Sequence, residues 1–412
     1  MPLRAQVLVV GAGPAGAYLA RGLAQRGVSV VLADRLSDLG RAAFSSAAMP
    51  LEALDRFGLP ASVVAARWSG WELLGPADER RCWMAPQPLG AVLDFAALRR
   101  FLVEEATRWG ARLLLGHTAL SWQEIGGGVR TTLRSADGEI SEVRSDWMID
   151  ATGQARALLG DPPPGAGAGP LVEGLGLEWL VAVPEACWQR WSDRLSFALG
   201  SGWVSQGYGW VFPMRSPQLK IGVCRLIDPG RAQPPLGVVM EQMVQRLIGP
   251  GDRRLLQVLD RHGGLIRSTI SRGEPHGCGR LVAVGDAVST ANLLGGEGIR
   301  HALSSSRALI PLLAALCREP PASTRAAGGT GQRALALYRA HLRQALGWRW
   351  SLSGRLARRT WLGLHDGRAD RRLSRLLRSL ENQPAEALSA LLFDYRFERY
   401  GWRALPYLLG WR

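Results

Sequence analysis

Val7–Gly16 reads VLVVGAGPAG, and the chain is best read outward from it. A run of β-branched residues ends in Gly11-Ala12-Gly13-Pro14-Ala15-Gly16, and Ala17–Gln25 continues as a helix. This is G-x-G-x-x-G at a strand-to-helix turn. Gly11 permits the tight turn, Gly13 lets the backbone approach a pyrophosphate, and Gly16 lets helix and strand pack closely. The free N–H groups and the positive end of the helix dipole then favour phosphate. A second apolar run, Val28–Ala33, ends in Asp34-Arg35, where a carboxylate is expected to accept hydrogen bonds from the hydroxyls of an adenosine ribose.

Length and composition bound what surrounds this motif. At 412 residues, with 47% hydrophobic and 21% charged side chains, the chain is expected to form two lobes sharing one interface. Apolar runs such as Leu309–Cys317 are too short to span a bilayer, and no leader is seen before the first strand, so a cytoplasmic protein is expected. The formal charge of +15 is carried by arginine, with Lys220 the one lysine. From Gly331 onward 16 arginines face six acids, which suggests an anionic partner such as a membrane surface or an acidic protein. Without a recognisable nucleic-acid module, nucleic acid is not expected. The five cysteines are scattered and the six histidines show no H-x-x-x-H spacing, so no metal site is expected.

In chain order, Ser37–Pro50 reads as a loop over the cofactor, Leu51–Phe57 as a short helix and Trp68–Pro86 as strands of a second, antiparallel sheet. Leu93–Trp109 reads as a helix, and Ala111–Leu115, Val129–Leu133 and the run to Asp150 as strands, with Asp137-Gly138 a hairpin turn. Ala151-Thr152-Gly153 marks a return to the cofactor. The Pro/Gly connector Asp161–Pro170 opens a β-rich stretch through Gly176–Val183, Arg194–Phe197, Gly209–Pro213 and Leu219–Cys224, followed by a helix over Gly237–Ile248. Arg280–Val284 is another buried strand. It runs into Gly285-Asp286 and then Gly295-Gly296-Glu297-Gly298-Ile299 before a helix over Arg300–Cys317. Asp286 is placed to bind a polyol chain, while Glu297 either donates a proton or, as the favoured reading, caps that helix. Ser323–Gly331 reads as a linker to two basic, Trp-bearing helices, Gln332–Leu364 and Arg371–Leu392. These either lie on a membrane interface or pack on the substrate lobe with their arginines in water.

Together the two glycine elements resemble the flavoprotein superfamily of geranylgeranyl reductases and single-component aromatic hydroxylases, over roughly Val7–Cys317. Tyr208-Gly209-Trp210-Val211-Phe212-Pro213, followed by Gly222-Val223-Cys224, is similar to the Y-x-W-x-F-P…G-x-G pattern of geranylgeranyl reductases, with Cys224 in place of the last glycine. Other departures are Phe95 where an arginine usually follows the aspartate (leaving Arg99 or Arg100 to replace it), Thr152-Gly153 where hydroxylases carry Asp-Gly, and no cysteine in Arg41–Met49. Halogenases use a catalytic lysine, and the single Lys220 lies downstream of the matching run, so halogenation is not expected.

The resemblance implies an α/β fold: a Rossmann-like FAD-binding domain, an inserted antiparallel β-sheet substrate domain and a C-terminal helical region. The implied division is 1–160 for the first FAD part (with substrate-sheet strands near 60–90), 161–275 for the substrate sheet, 276–322 for the last FAD part and 323–412 for the basic helices. FAD contacts are implied at Gly11, Ala12, Gly13, Pro14, Ala15, Gly16, Asp34, Arg35, Gly285, Asp286, Gly296, Glu297, Gly298 and Ile299. Tyr208, Trp210, Phe212 and Pro213 are implied to line an apolar substrate channel; no catalytic side chain is assigned. The implied activity is hydride transfer from reduced FAD to a double bond of an isoprenoid-type substrate, with NADPH or a reduced ferredoxin as electron donor. The alternatives are an FAD monooxygenase and a lycopene-cyclase-like flavoprotein without net redox turnover.

Overall fold

Strand Leu3–Val10 lies at the centre of the larger sheet, parallel to Val30–Asp34 on one side and to Ile140–Asp150 on the other. Its side chains alternate between two cores, Val7 and Val9 facing one and Leu8 and Val10 the other, which is why the run is apolar throughout. The computed structural model describes residues 2–41, 45–162, 171–269, 273–318 and 324–398. The sheet order is Gly277–Cys278, Leu281–Ala283, Ile140–Asp150, Leu3–Val10, Val30–Asp34, Arg112–Leu115. The hairpin Thr118–Ile125/Gly128–Arg134 is added antiparallel to Ile140–Asp150. Helix Pro14–Ala24 packs between Phe95–Arg108 and Ile299–Leu316.

A seven-stranded sheet forms the second lobe: Gln257–Ser268, Val172–Ala182, Gln218–Leu226, Gly207–Pro213, Arg194–Leu199, Gly70–Leu74, Arg80–Met84. All neighbours are antiparallel except Arg194–Leu199 and Gly70–Leu74, which run parallel where the chain's early excursion joins the later strands. One face carries Val211, Ile221 and Val223 against Met240 and Met243 of helix Leu236–Leu247. The opposite face carries Phe197, Tyr208, Trp210 and Phe212. A small sheet of Ala48–Pro50, Gly90–Leu93 and Val64–Trp68 couples the lobes, with Met49 and Leu93 in the first core and Trp68 and Val92 in the aromatic one.

The C-terminal helices cover the aromatic face with Trp361, Leu373, Leu377 and Leu388, while Arg368, Arg371, Arg372, Arg375 and Arg378 are exposed. The packed-cap arrangement therefore describes their apolar side. Three expectations need correction here. The stretch read as a linker is helical from Thr324, and the helix to Gly363 breaks instead at Gly347. Arg371–Leu392 is two helices, Gly367–Ser379 and Ala385–Leu392, because Pro384 begins a new one. Several strands were not anticipated: those of the small sheet, including Ala48–Pro50 at the end of the stretch read as a loop, and Thr118–Ile125 and Gln257–Ser268, which carry many exposed polar residues that dilute the strand pattern. Most of the Asp161–Pro170 connector lies outside the described residues. Among the described residues no helix is long and apolar enough to cross a membrane.

A β-carbon on Gly16 would overlap the Gly11 carbonyl and lie 2.8 Å from the Ala151 β-carbon, both fixed by the sheet. Gly16→Ala is therefore expected to lose about 2 kcal/mol of stability, the scale of forced overpacking. A thermal or denaturant melt of the variant measures it.

Candidate active site

At the first turn Gly11 holds φ 109°, a left-handed conformation that closes the strand-to-helix bend under Ala151. Helix Pro14–Ala24 then starts with Pro14 in its first turn and Gly13 as N-cap, with no side chain on its first N–H groups. A β-carbon on Gly13 would meet nothing within 4 Å, so this side of the turn is open to a ligand. Ala12 is wholly buried beneath it and Ala15 sits against Gly285. Asp34 is buried; one carboxylate oxygen accepts the Ala12 N–H at 2.6 Å and the other the Leu36 N–H at 2.9 Å. Its first role is therefore to lock the turn. Arg35 is exposed. Of the two arginines weighed as replacements for Phe95, Arg99 is buried and donates to the Arg41 carbonyl at 3.3 Å, while Arg100 is exposed. The Arg99 Nε has no partner; burial lowers its pKa, opposed by Asp34 and Asp38.

The second glycine element lies directly against the first. A β-carbon on Gly285 would lie 2.8 Å from the Ala15 β-carbon, and the Gly285 N–H donates to Ser305 Oγ at 2.8 Å. Burial raises the Asp286 carboxyl, countered by the Thr290 hydroxyl that donates to it at 3.1 Å. Gly298 adjoins Asp286, 3.8 Å from the position of its own absent β-carbon. Two residues that hold this junction were not anticipated. The Asp150 carboxylate accepts from Thr152 N at 3.0 Å, Thr152 Oγ1 at 2.6 Å, Leu158 N at 3.1 Å and Leu159 N at 2.9 Å. Buried Arg156 donates to the carbonyls of Gly160, Ala287 and Pro275 at 2.8, 2.6 and 3.2 Å, tying the Ala151 turn to the Asp286 element. An acidic residue at the end of a buried strand, followed by a small-residue turn, was the available signal for Asp150.

Glu297 corrects the expectation. The helix that begins at Ile299 has Gly298 as N-cap without a side-chain cap. The Glu297 carboxylate instead pairs with Arg300, 2.5 and 2.8 Å from its Nε and Nη2, and accepts the Tyr395 hydroxyl at 3.0 Å, with His301 Nε2 at 3.3 Å. Burial alone would raise this carboxyl, but the Arg300 and His301 charges bring it down to about 2. An ionised carboxylate held this way neither donates a proton nor caps. Arg300 also donates to the Phe393 carbonyl, so the C-terminal segment is anchored on the glycine loop.

Tyr208, Trp210 and Phe212 do share one strand face, while Pro213 alternates to the other with Gly209 and Val211. A β-carbon on Gly296, whose φ is 64°, would lie 3.0 Å from the Tyr208 hydroxyl, so the glycine loop and the aromatic face meet there. A cavity at this contact, about 20 Å³ and bounded by Tyr208, Cys224, Ile266, Leu293, Gly296 and Trp361, has room for about one water. The Trp361 ring, its centroid 5.0 Å from that of Tyr208, closes it. Burial pushes the Cys224 thiol up to about 12 and the Tyr208 phenol well above its ordinary value, so both are neutral. Trp210 Nε1 donates to Glu178 at 2.9 Å, and His262 Nε2 lies 3.0 Å from the other Glu178 oxygen. This buried polar pair was not anticipated, since its members are far apart in sequence.

An FAD-binding-domain family matches residues 4–161. The chain is 29% identical over 320 residues to a digeranylgeranylglycerophospholipid reductase of Haloferax volcanii, covering 73% of each protein. It is 27% identical over 326 residues to a menaquinone reductase of Mycolicibacterium smegmatis, covering 76% of this chain and 77% of that protein. A solved geranylgeranyl bacteriochlorophyll reductase-like protein of Thermoplasma acidophilum shares the fold with a TM-score of 0.78 at 19% identity, over 97% of this chain and 98% of that one. The chain is thus an FAD-dependent oxidoreductase, and over most of its length it is similar to proteins of the geranylgeranyl reductase family. The residues present fit that cofactor: an open glycine turn at a helix start and, beside it, a buried guanidinium nitrogen without a partner.

Because the Glu297 carboxyl is depressed from 4.5 to about 2 on folding, its contribution is complete above pH 4.5 and disappears as pH falls through about 2. That shift corresponds to about 3 kcal/mol. Glu297→Gln is expected to lower stability by about that much at neutral pH and to flatten the acid limb between pH ~5 and ~2. Melts of both proteins across that range measure it.

Proposed function

We propose that this oxidoreductase reduces carbon–carbon double bonds of an isoprenoid-type lipid lying against the Tyr208–Trp210–Phe212 face. The observation that carries this reading is the contact of Gly296, from the second nucleotide element, with the Tyr208 hydroxyl on an aromatic sheet face. It brings the cofactor loop beside an apolar wall suited to a prenyl chain. The names of the two curated relatives, a digeranylgeranylglycerophospholipid reductase and a menaquinone reductase, support the same substrate class.

Held at the Gly11–Gly16 and Gly285–Gly298 turns, reduced FAD would supply a hydride to one alkene carbon, and water would supply the proton to the other. The chain's part is to orient the alkene and to shield it from bulk water, which buried Tyr208, Trp210 and Phe212 do together. Glu297, held ionised by Arg300 and His301, and the phenol of Tyr208, kept neutral by burial, set the charge on the two sides of the contact at Gly296. Electrons come from NADPH bound transiently or from a reduced ferredoxin, since no second G-x-G-x-x-G provides a separate nicotinamide domain. The substrate's residence in a lipid phase gives a use to the arginine face of helix Gly367–Ser379. Arg371, Arg375 and Arg378 line a groove of about 450 Å³ beside Pro76–Glu79. Among the described residues none of these three arginines forms an ion pair, since Asp370 accepts from Ser201 and Glu79 pairs with Arg81. This face is proposed as a peripheral contact with an anionic membrane.

Anaerobic addition of a geranylgeranylated lipid or menaquinone to the photoreduced holoenzyme is expected to reoxidise the flavin and add two hydrogens per double bond to the substrate, read by absorbance and mass. A flavin that stays reduced until oxygen is admitted would replace this reading with the monooxygenase one. Trp210→Ala is expected to slow that reoxidation at least tenfold while flavin content stays normal. For the membrane contact, the triple variant Arg371→Glu, Arg375→Glu, Arg378→Glu is expected to lose co-sedimentation with phosphatidylglycerol vesicles; undiminished binding refutes it.

A further inference from the structure

The chain's one lysine is buried at the junction of the two lobes. Lys220 is 5% exposed and stands in register with Phe212 and Leu180, on the sheet face that carries Tyr208 and Trp210. Its Nζ donates to the Ser45 carbonyl at 2.5 Å. The segment that follows Ser45 bridges the lobes, Ala47 and Met49 lying in the nucleotide-domain core and Ala48 against the aromatic cluster. An ammonium has three hydrogens to donate, and the Ser45 carbonyl is its only acceptor among the described residues.

The neighbouring carboxylates compensate it only in part. Glu178 and Asp94 act on it only at a distance; Glu178 is taken up by Trp210 and His262, and Asp94 caps the helix that begins at Phe95 by accepting the Ala97 N–H. Burial lowers the Lys220 pKa against these two charges. A buried cation without an ion pair is costly, and its unused N–H groups call for a partner that the described residues do not supply. A prenyl chain offers an ammonium no acceptor. A flavin ring offers carbonyl oxygens and, when reduced, negative charge.

We propose that Lys220 is a cofactor-facing charge: its free N–H groups donate to the electron-rich edge of the bound flavin ring, and its fixed positive charge raises the flavin's midpoint potential. A cation in a water-poor site favours the more electron-rich state of whatever it faces. The proposal depends on FAD binding and not on the identity of the substrate.

The single lysine makes the test direct. Treated with an amine-reactive ester and mapped by mass spectrometry, the chain can be labelled only at Lys220 and its N-terminal amine. Lys220 is expected to label several-fold faster after FAD is stripped than in the holoenzyme, with the N-terminal amine as the control. Spectroelectrochemistry of substrate-free holoenzyme is expected to give a more negative midpoint potential for Lys220→Met and a value near wild type for Lys220→Arg. Equal labelling with and without FAD, or FAD-loaded Lys220→Met at the wild-type potential, overturns the assignment. If Lys220→Met does not retain FAD, labelling of the wild-type protein decides alone. Both readouts are taken without substrate, so they stand apart from the isoprenoid reading.

Discussion

Backbone against backbone, Gly11 and Gly16 press on Ala151, and the rest of the site is placed by that contact. No side chain larger than hydrogen fits at either glycine: a β-carbon on Gly11 would overlap the Ala151 carbonyl, and one on Gly16 the Gly11 carbonyl. The consequence reaches beyond a tight turn. Ala151 ends the strand parallel to Leu3–Val10, so the contact fixes the height at which the chain returns over the helix start. Asp150 then folds the following residues back through four hydrogen bonds, and Arg156 passes the position on to Ala287. The two glycine elements, Gly11–Gly16 and Gly285–Gly298, are thereby held against each other despite their distance in sequence.

The junction with the aromatic sheet is governed by charge as much as by packing. Glu297, Arg300, His301 and Tyr395 form a buried cluster in which the carboxylate is matched by guanidinium, imidazole and phenol. Such a cluster contributes little net stability over a well-packed apolar core, but removal of one member is expensive. Its value here is positional. The glycine loop beside the Tyr208 hydroxyl cannot move without stranding Arg300, which is bound at once to Glu297 and to the Phe393 carbonyl.

Local signals carried most of the fold. The apolar run with G-x-G-x-x-G, the Gly285-Asp286 turn and the alternating Tyr208–Phe212 strand each depend on neighbours within a few residues, and the structure has elements at all three. What escaped the sequence was long-range pairing. Glu297 looked like a cap because it precedes a helix by two residues; its partner Tyr395 lies 98 residues away and no local pattern announces it. Strand Gln257–Ser268 was missed because it is an edge strand whose other side faces water, so its polar residues hide the alternation. Ser323–Gly331 looked like a linker because its glycines are weak helix formers.

The aromatic face illustrates a further limit of reading a wall from its residue types. Tyr208, Trp210 and Phe212 have the spacing and chemistry of a channel lining, yet their face is filled by a side chain from the far end of the chain. Trp361 packs on Tyr208 with its ring tilted by 42° and donates its indole N–H to the Leu293 carbonyl at 3.0 Å. Gln206 N–H donates to the Leu364 carbonyl at 2.7 Å, joining the start of the aromatic strand to the end of the same helix. Space for a long chain therefore requires Trp361 to give up its place, and the backbone bonds at Leu293 and Leu364 move with it. Leu293 belongs to the segment that leads into Gly296. The aromatic face and the glycine loop are thus mechanically linked, because displacing Trp361 from one pulls on the backbone that leads into the other.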